Sequence, residues 1–186
     1  MKINIKVILV TVFVGSFLNG ISQNNINWIS WESMIQQRAS DSVKKKVFID
    51  LYTNWCGWCK RMDATTFSDP VIVNYIKKKF YTVKFDGETQ DTIIFNNHNF
   101  YNSDPTFKKN SPNSRGKAHW FAHSILDGKL SYPSYVLLDE NLTRLMVYQG
   151  YKQVDEMLGI LLFFGNNQYK YYHNHLNSQW NSSKKP

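Results

Sequence analysis

The sequence predicts an α/β protein, a central β-sheet layered with helices within one domain of a 186-residue chain. Three observations carry this. Strand-like runs of β-branched and aromatic residues are interleaved with helix-length segments along most of the chain. Apolar residues make up 42% of the composition and aromatics 16%, too many for a disordered chain. The 2 cysteines, 9 glycines and 5 prolines exclude a disulfide-stapled miniature scaffold, a collagen and a Pro/Gly low-complexity chain.

The elements follow in order. Lys2 and Lys6 precede the uncharged, largely apolar run 7–18, and Gly20 and Ser22 supply small residues after it. This is the layout of a secretory signal peptide over 1–22, and the run is shorter than the roughly 20 apolar residues that span a bilayer. No other run reaches that length, so the mature chain is expected to carry no transmembrane segment. The folded domain is expected over 23–165. Ser30 can cap a helix over 31–40, with Trp31, Met34 and Ile35 on one face. Residues 47–53 (VFIDLYT) read as a buried strand, after which the chain turns helical at Cys56. Asp69 as N-cap and Pro70 in the first turn start a helix over 70–79, and 80–86 (FYTVKFD) is a second strand.

Residues 87–117 change character. They are rich in Asn, Ser, Lys and Thr and read as an insertion, with a hairpin over 92–101 turning at Asn96-Asn97. A connection this long is usually functional or mobile. Residues 117–126 look helical, 134–138 and 144–148 are strands joined by a turn at Asp139-Glu140-Asn141, and 154–164 is an apolar helix. A polar, aromatic tail over 166–186 ends in SSKKP and is expected to fray. The net charge is +8, but the lysines fall in short separate clusters at 44–46, 77–79 and 184–185. They read as solvated ends of elements and not as the continuous basic face of a nucleic-acid binder.

The chemistry concentrates at Trp55-Cys56-Gly57-Trp58-Cys59, where a strand hands over to a helix. A thiolate is the nucleophile of disulfide exchange, and a helix N-terminus stabilises it. Two intervening residues let the second sulfur reach the first. Cys56 is therefore expected to be the exposed attacking sulfur and Cys59 the buried resolving one. Two alternatives stand beside redox exchange: a static disulfide, and half of a metal site completed by His119 and His123, four residues apart on a helix. The second is poor, because zinc takes four ligands and the HWFAH spacing lacks the glutamate of HExxH. No metal and no cofactor is expected. Asp50 is a lone acid in a run that reads as buried on both faces, so its carboxyl is expected to ionise late and to be able to take a proton from Cys59.

The segment FIDLYTNWCGWCK resembles the active-site strand and turn of the thioredoxin superfamily. Asp50, six residues before Cys56, resembles the buried acid of thioredoxins, and Tyr132-Pro133 before the strand SYVLLD resembles their cis-proline loop. Gly150 resembles the glycine that flanks the substrate groove. The match covers about 28–164, and CGWCKRMDATTFSDP is similar to exported thioredoxin-like proteins of Bacteroidetes-type bacteria. The resemblance implies a thioredoxin fold, a mixed sheet flanked by helices, with the insertion preceding the cis-Pro loop. It implies catalytic roles for Cys56, Cys59, Asp50 and Lys84, the last as the lysine that neighbours the acid. Trp55, Gly57, Trp58, Tyr132, Pro133 and Gly150 are then the substrate-facing residues, with Trp58 partly exposed and the Tyr132 backbone free to pair with an extended segment. Many thioredoxins carry a smaller residue at the Tyr132 position.

The implied activity is an exported, periplasmic thiol–disulfide oxidoreductase, a reductase of protein disulfides, with a membrane thiol carrier as electron donor. Two rivals remain at this point. One is an oxidase or isomerase of the same fold; the other is a redox-silent binding module that uses the scaffold and the insertion. If the helix after the insertion sits as in thioredoxins, the insertion's ends are expected beside the sheet edge, away from the sulfurs.

Overall fold

The computed structural model describes residues 25–102 and 117–183, with side chains as far as 175. The leader expected over 1–22 and the middle of the insertion lie outside the described residues. The element order is α1 (Trp31–Ser40), β1 (Lys46–Tyr52), α2 (Gly57–Ala64), a 3₁₀ turn (Thr66–Ser68), α3 (Pro70–Lys79), β2 (Phe80–Asp86), β3 (Ile93–Phe95), β4 (His98–Phe100), α4 (Trp120–Ile125), β5 (Ser134–Leu138), β6 (Arg144–Gln149), α5 (Val154–Gly165) and α6 (Gln168–Ser183). No helix among the described residues is long and apolar enough to cross a membrane.

Local chemistry explains most boundaries. The Ser30 side chain accepts the Ser33 N–H at 3.1 Å and starts α1. The Asp69 carboxylate accepts the Val71 N–H at 2.8 Å, Pro70 fills the first turn, and Lys77, Lys78 and Lys79 end α3 where the helix dipole favours cations. Gln153 and Glu156 form a reciprocal capping box on α5. Asn96 and Asn97 both take positive φ, 50° and 61°, as a two-residue hairpin turn of type I′ requires. Helix α4 is shorter than the periodicity suggests because His119 caps it: its Nδ1 accepts the Phe121 N–H at 3.0 Å. The region expected to be a polar tail is helical over Gln168–Ser183. Its start is tied to the body by Lys46, 4% exposed, whose Nζ donates to Asn167 Oδ1 at 2.7 Å and to Glu140 Oε1 at 2.6 Å.

The main sheet has the order β2-β1-β5-β6, with β1 and β2 parallel and the other pairs antiparallel. It is a mixed sheet with helices on both faces. Successive strand residues point to opposite faces, so two cores form. Val47, Ile49 and Leu51 pack with α1 and α4 and with Ile93 of the hairpin. Phe48 faces the other way, against Met62, Ile72, Tyr135 and Leu161, beneath α2, α3 and α5. Asp50 shares the Phe48 face. Register sets it between Lys84 on parallel β2 and Tyr135 on antiparallel β5. Upstream of α1, Ile29 makes a single parallel bridge to Val83 at the outer edge of β2.

Candidate functional site

Strand β1 runs up through the sheet and delivers Cys56 to the start of α2. Cys56 is itself the N-cap: its Sγ accepts the Cys59 N–H at 3.0 Å. The two sulfurs are joined in a disulfide, with the Cα atoms 5.3 Å apart. A thiolate released at Cys56 would therefore meet the positive end of the helix, whereas Cys59 lies inside the first turn. The expected difference in exposure is absent in this oxidised state, where each cysteine is 3% exposed. The sulfurs are told apart by their place relative to the helix end and not by their accessibility.

Aromatic pairs flank the disulfide on two sides. Trp55 meets Tyr132 edge-on at 6.0 Å, and its Nε1 donates to Glu88 Oε1 at 2.9 Å. Trp58 is 57% exposed and lies 5.7 Å from the Tyr151 ring, with the Arg61 guanidinium 5.5 Å from each of the two rings. The Tyr132-Pro133 peptide is cis. Gly150 has φ +79° and donates its N–H to the Pro133 carbonyl at 2.9 Å, which joins the loop before α5 to the cis-proline loop. Gly57 opens α2 with free space around it.

The buried acid stands on β1, the strand that leads to Cys56. Asp50 is 2% exposed. Its Oδ2 sits 3.5 Å from Lys84 Nζ, and its Oδ1 has no hydrogen-bond partner. Burial pushes its carboxyl up to about 7, against the pull of the nearby Lys84 ammonium and with a contribution from Asp63. Lys84 also pairs with Asp63 on α2 and lies 5.3 Å from each of the Trp28 and Tyr52 rings. Burial likewise pushes the hydroxyls of Tyr132 and Tyr135 up, so both stay neutral.

The insertion does not stay clear of the site. Its first residues, Gly87 and Glu88, press against Tyr132 and Trp55, because β2 ends there and the Gly87 N–H bonds the Tyr52 carbonyl at 2.8 Å. The insertion also roots itself in the first core through Ile93, and Asn102 donates to the Glu88 carbonyl at 3.3 Å. A Cβ on Gly87 would lie 2.1 Å from the Tyr132 hydroxyl oxygen and 2.5 Å from Cζ. Gly87→Ala is therefore expected to destabilise the fold by about 1–3 kcal/mol through overpacking. Urea unfolding should show the loss, and in a Tyr132→Ala background the same substitution should cost much less. An equal loss with and without Tyr132 would place the strain elsewhere.

His119 is fully buried. With Nδ1 taken by Phe121, its Nε2 lies 2.9 Å from the Asp91 carbonyl and donates to it, leaving neither nitrogen for a metal. Burial holds its imidazole below its ordinary value. No cluster of three or more His, Cys, Asp or Glu that could hold a metal occurs among the described residues.

The disulfide at a helix start and the cis-proline loop joined to Gly150 stand on a mixed sheet flanked by helices, and solved structures share that fold. A thioredoxin-fold protein from Helicobacter pylori superposes with a TM-score of 0.50 and 19% identity, covering 68% of this chain and 73% of its own. The chain has a thioredoxin fold. A thioredoxin from Thermus thermophilus matches it with a TM-score of 0.50 and 12% identity, over 74% of this chain and 85% of the other. A Bacteroides thetaiotaomicron protein matches at 0.49 and 20% identity, over 75% and 92%. Residues 12–102 match the family model Thioredox_DsbH, described as a protein of unknown function, DUF255. No curated protein matches the sequence. The fold expected from the resemblance of FIDLYTNWCGWCK is thus borne out. In this thioredoxin fold, Asp63, Glu88, Tyr151 and Arg61 join the neighbourhood of the expected site residues. Asp63 had a usable signal, four residues after Cys59 on the same helix; Glu88 lies in the insertion and had none.

Proposed function

We propose that the protein is an exported thiol–disulfide oxidoreductase that reduces protein disulfides through the Cys56–Cys59 couple. The observation that carries this reading is the placement of Cys56 as N-cap of α2, with its sulfur accepting the Cys59 N–H, at the end of a strand that carries the buried Asp50. The Cys56 thiolate attacks a substrate disulfide, forming one S–S bond and expelling one substrate thiolate. Cys59 then gives its proton to the Asp50 carboxylate and attacks Cys56 Sγ. The second substrate thiolate leaves, the substrate is reduced by two electrons, and the protein returns to the disulfide state. An acid that ionises near neutral pH suits that proton transfer. Lys84 limits how late it ionises.

In this reading Trp58, Tyr132 and Gly150 supply the substrate-facing surface beside the sulfurs. Export is supported by the signal-peptide layout of 1–22, and the periplasm is the destination that fits a leader of this kind. A reductase there consumes electrons in every cycle, so a membrane thiol carrier is the proposed donor. Direction is tested by the reduction potential of the couple. Equilibration with glutathione is expected to place it nearer the about −270 mV of thioredoxin than the about −120 mV of a strong oxidant. A value at the oxidising end would make the protein a disulfide donor instead.

A further inference from the structure

Lys84 is shared. It is the cation beside Asp50, yet it also pairs with the Asp63 carboxylate on α2, and of the two carboxylates Asp63 is the nearer. Asp50 Oδ2 is 3.5 Å away, at the edge of an ion pair, and Oδ1 has no hydrogen-bond partner. The ammonium is held from the remaining sides by the rings of Trp28 and Tyr52, each at 5.3 Å, so its position is set by a cage of two acids and two aromatic rings. Exposure grades along the cage: Asp50 3%, Lys84 20% and Asp63 43% at the side chain. The outer acid faces water, while the inner one must lose its hydration to ionise.

We propose that Asp63 is a positioning residue that draws the Lys84 ammonium outward and withholds its charge from Asp50. The proposal rests on the reading of Asp50 as proton acceptor for Cys59. Without Asp63, the ammonium would turn fully to Asp50 and a nearby negative charge would vanish; both changes favour the Asp50 carboxylate. Asp50 would then ionise earlier, and an earlier-ionising carboxylate is a weaker base toward a thiol. The groups that face Asp50 are few. Lys84 comes from β2, Asp63 from α2, Tyr135 from β5, and Tyr52 from its own strand; Cys56 caps α2 and Cys59 lies in its first turn. The two tyrosines stay neutral through the working range, because burial pushes both hydroxyls up. The cysteines do not titrate while joined. In the oxidised protein Lys84 and Asp63 are therefore the charges that set the Asp50 midpoint.

The test reads Asp50 directly. In ¹³C-carboxyl NMR titrations of the oxidised full chain, Asp63→Asn is expected to lower the Asp50 midpoint by about one pH unit, and Asp63→Glu to restore it. In a Lys84→Met background, Asp63→Asn should move the midpoint by clearly less, because the effect runs through the ammonium. An unmoved Asp50 midpoint in Asp63→Asn would overturn the proposal, as would the full shift persisting without Lys84. A uniform loss of stability with no change of midpoint would leave Asp63 a mere helix-surface ion pair and would also overturn it. The titration needs no substrate and no turnover. A chain that fails to reduce disulfides yet shows the shift would therefore sink the proposed function and leave the Asp63 assignment standing. In the active reduced protein, the pH profile of disulfide reduction should move to lower pH by the same amount in Asp63→Asn.

Discussion

Cys59→Ser is expected to turn the protein from a catalyst into a trap. Disulfide reduction should fall to the uncatalysed background, and a covalent adduct with a disulfide substrate should accumulate that survives a non-reducing gel and dissolves with dithiothreitol. The reason is positional. Cys56 holds the helix-capping place where a thiolate is stabilised, so it can open the substrate disulfide alone. Release needs a second sulfur within reach of the first, and among the described residues only Cys59 is bonded to it. Cys56→Ser should be equally inactive and form no adduct. Adducts through Cys59 in that variant would reverse the two roles. Undiminished capture of partners by a chain lacking both sulfurs would favour a binding module built on the scaffold. Because the two cysteines are equally shielded in the oxidised state, these variants discriminate the roles better than accessibility does.

The strands and helices from residue 31 to 165 were legible because each carries its own signal. Ser30 and Asp69 are side-chain caps, β1 is an apolar run broken only by Asp50 after Lys46, and Asn96-Asn97 is a turn with a known backbone demand. The centre of the site was legible for a related reason: Cys56, Cys59 and Asp50 sit within ten residues, on one strand and the helix it feeds. What could not be read was set by contacts between distant segments. Glu88 meets Trp55 only because β2 lies beside β1 and ends level with it. The ring of Tyr151 reaches Trp58 through the loop that Gly150 turns. Helix α6 has no strong periodicity; what anchors its start is Lys46, a residue that reads as part of a solvated lysine cluster but is buried between Glu140 and Asn167. His119 invited a metal reading by its spacing to His123, while its actual work is to cap α4 and bond the Asp91 carbonyl.

Asp50→Asn should raise stability and lower activity in the same chain, with both effects depending on pH. The folded carboxyl titrates at about 7 against an ordinary 3.8, chiefly because it is buried. Between those values the unfolded chain has lost the proton and the native one keeps it. Stability from this group is therefore fully present below pH 4 and is lost as pH rises through about 7. Above that, the native state carries a buried charge that Lys84, shared with Asp63, compensates only in part. A shift of this size corresponds to about 2–4 kcal/mol, and asparagine avoids the cost while keeping the volume. Urea unfolding of the oxidised proteins at pH 8.5 should accordingly show the variant more stable by that margin, while at pH 4 the two should nearly coincide. Turnover should move the other way. With no base beneath Cys59, release of the mixed disulfide should slow by about ten- to a hundredfold, and the dependence of the rate on pH near 7 should flatten. A stability difference that is the same at both pH values would mean that Asp50 titrates near its ordinary value and that Lys84 serves it as a full partner after all. An unaltered rate profile would remove Asp50 from the proton transfer and leave water as the base for Cys59.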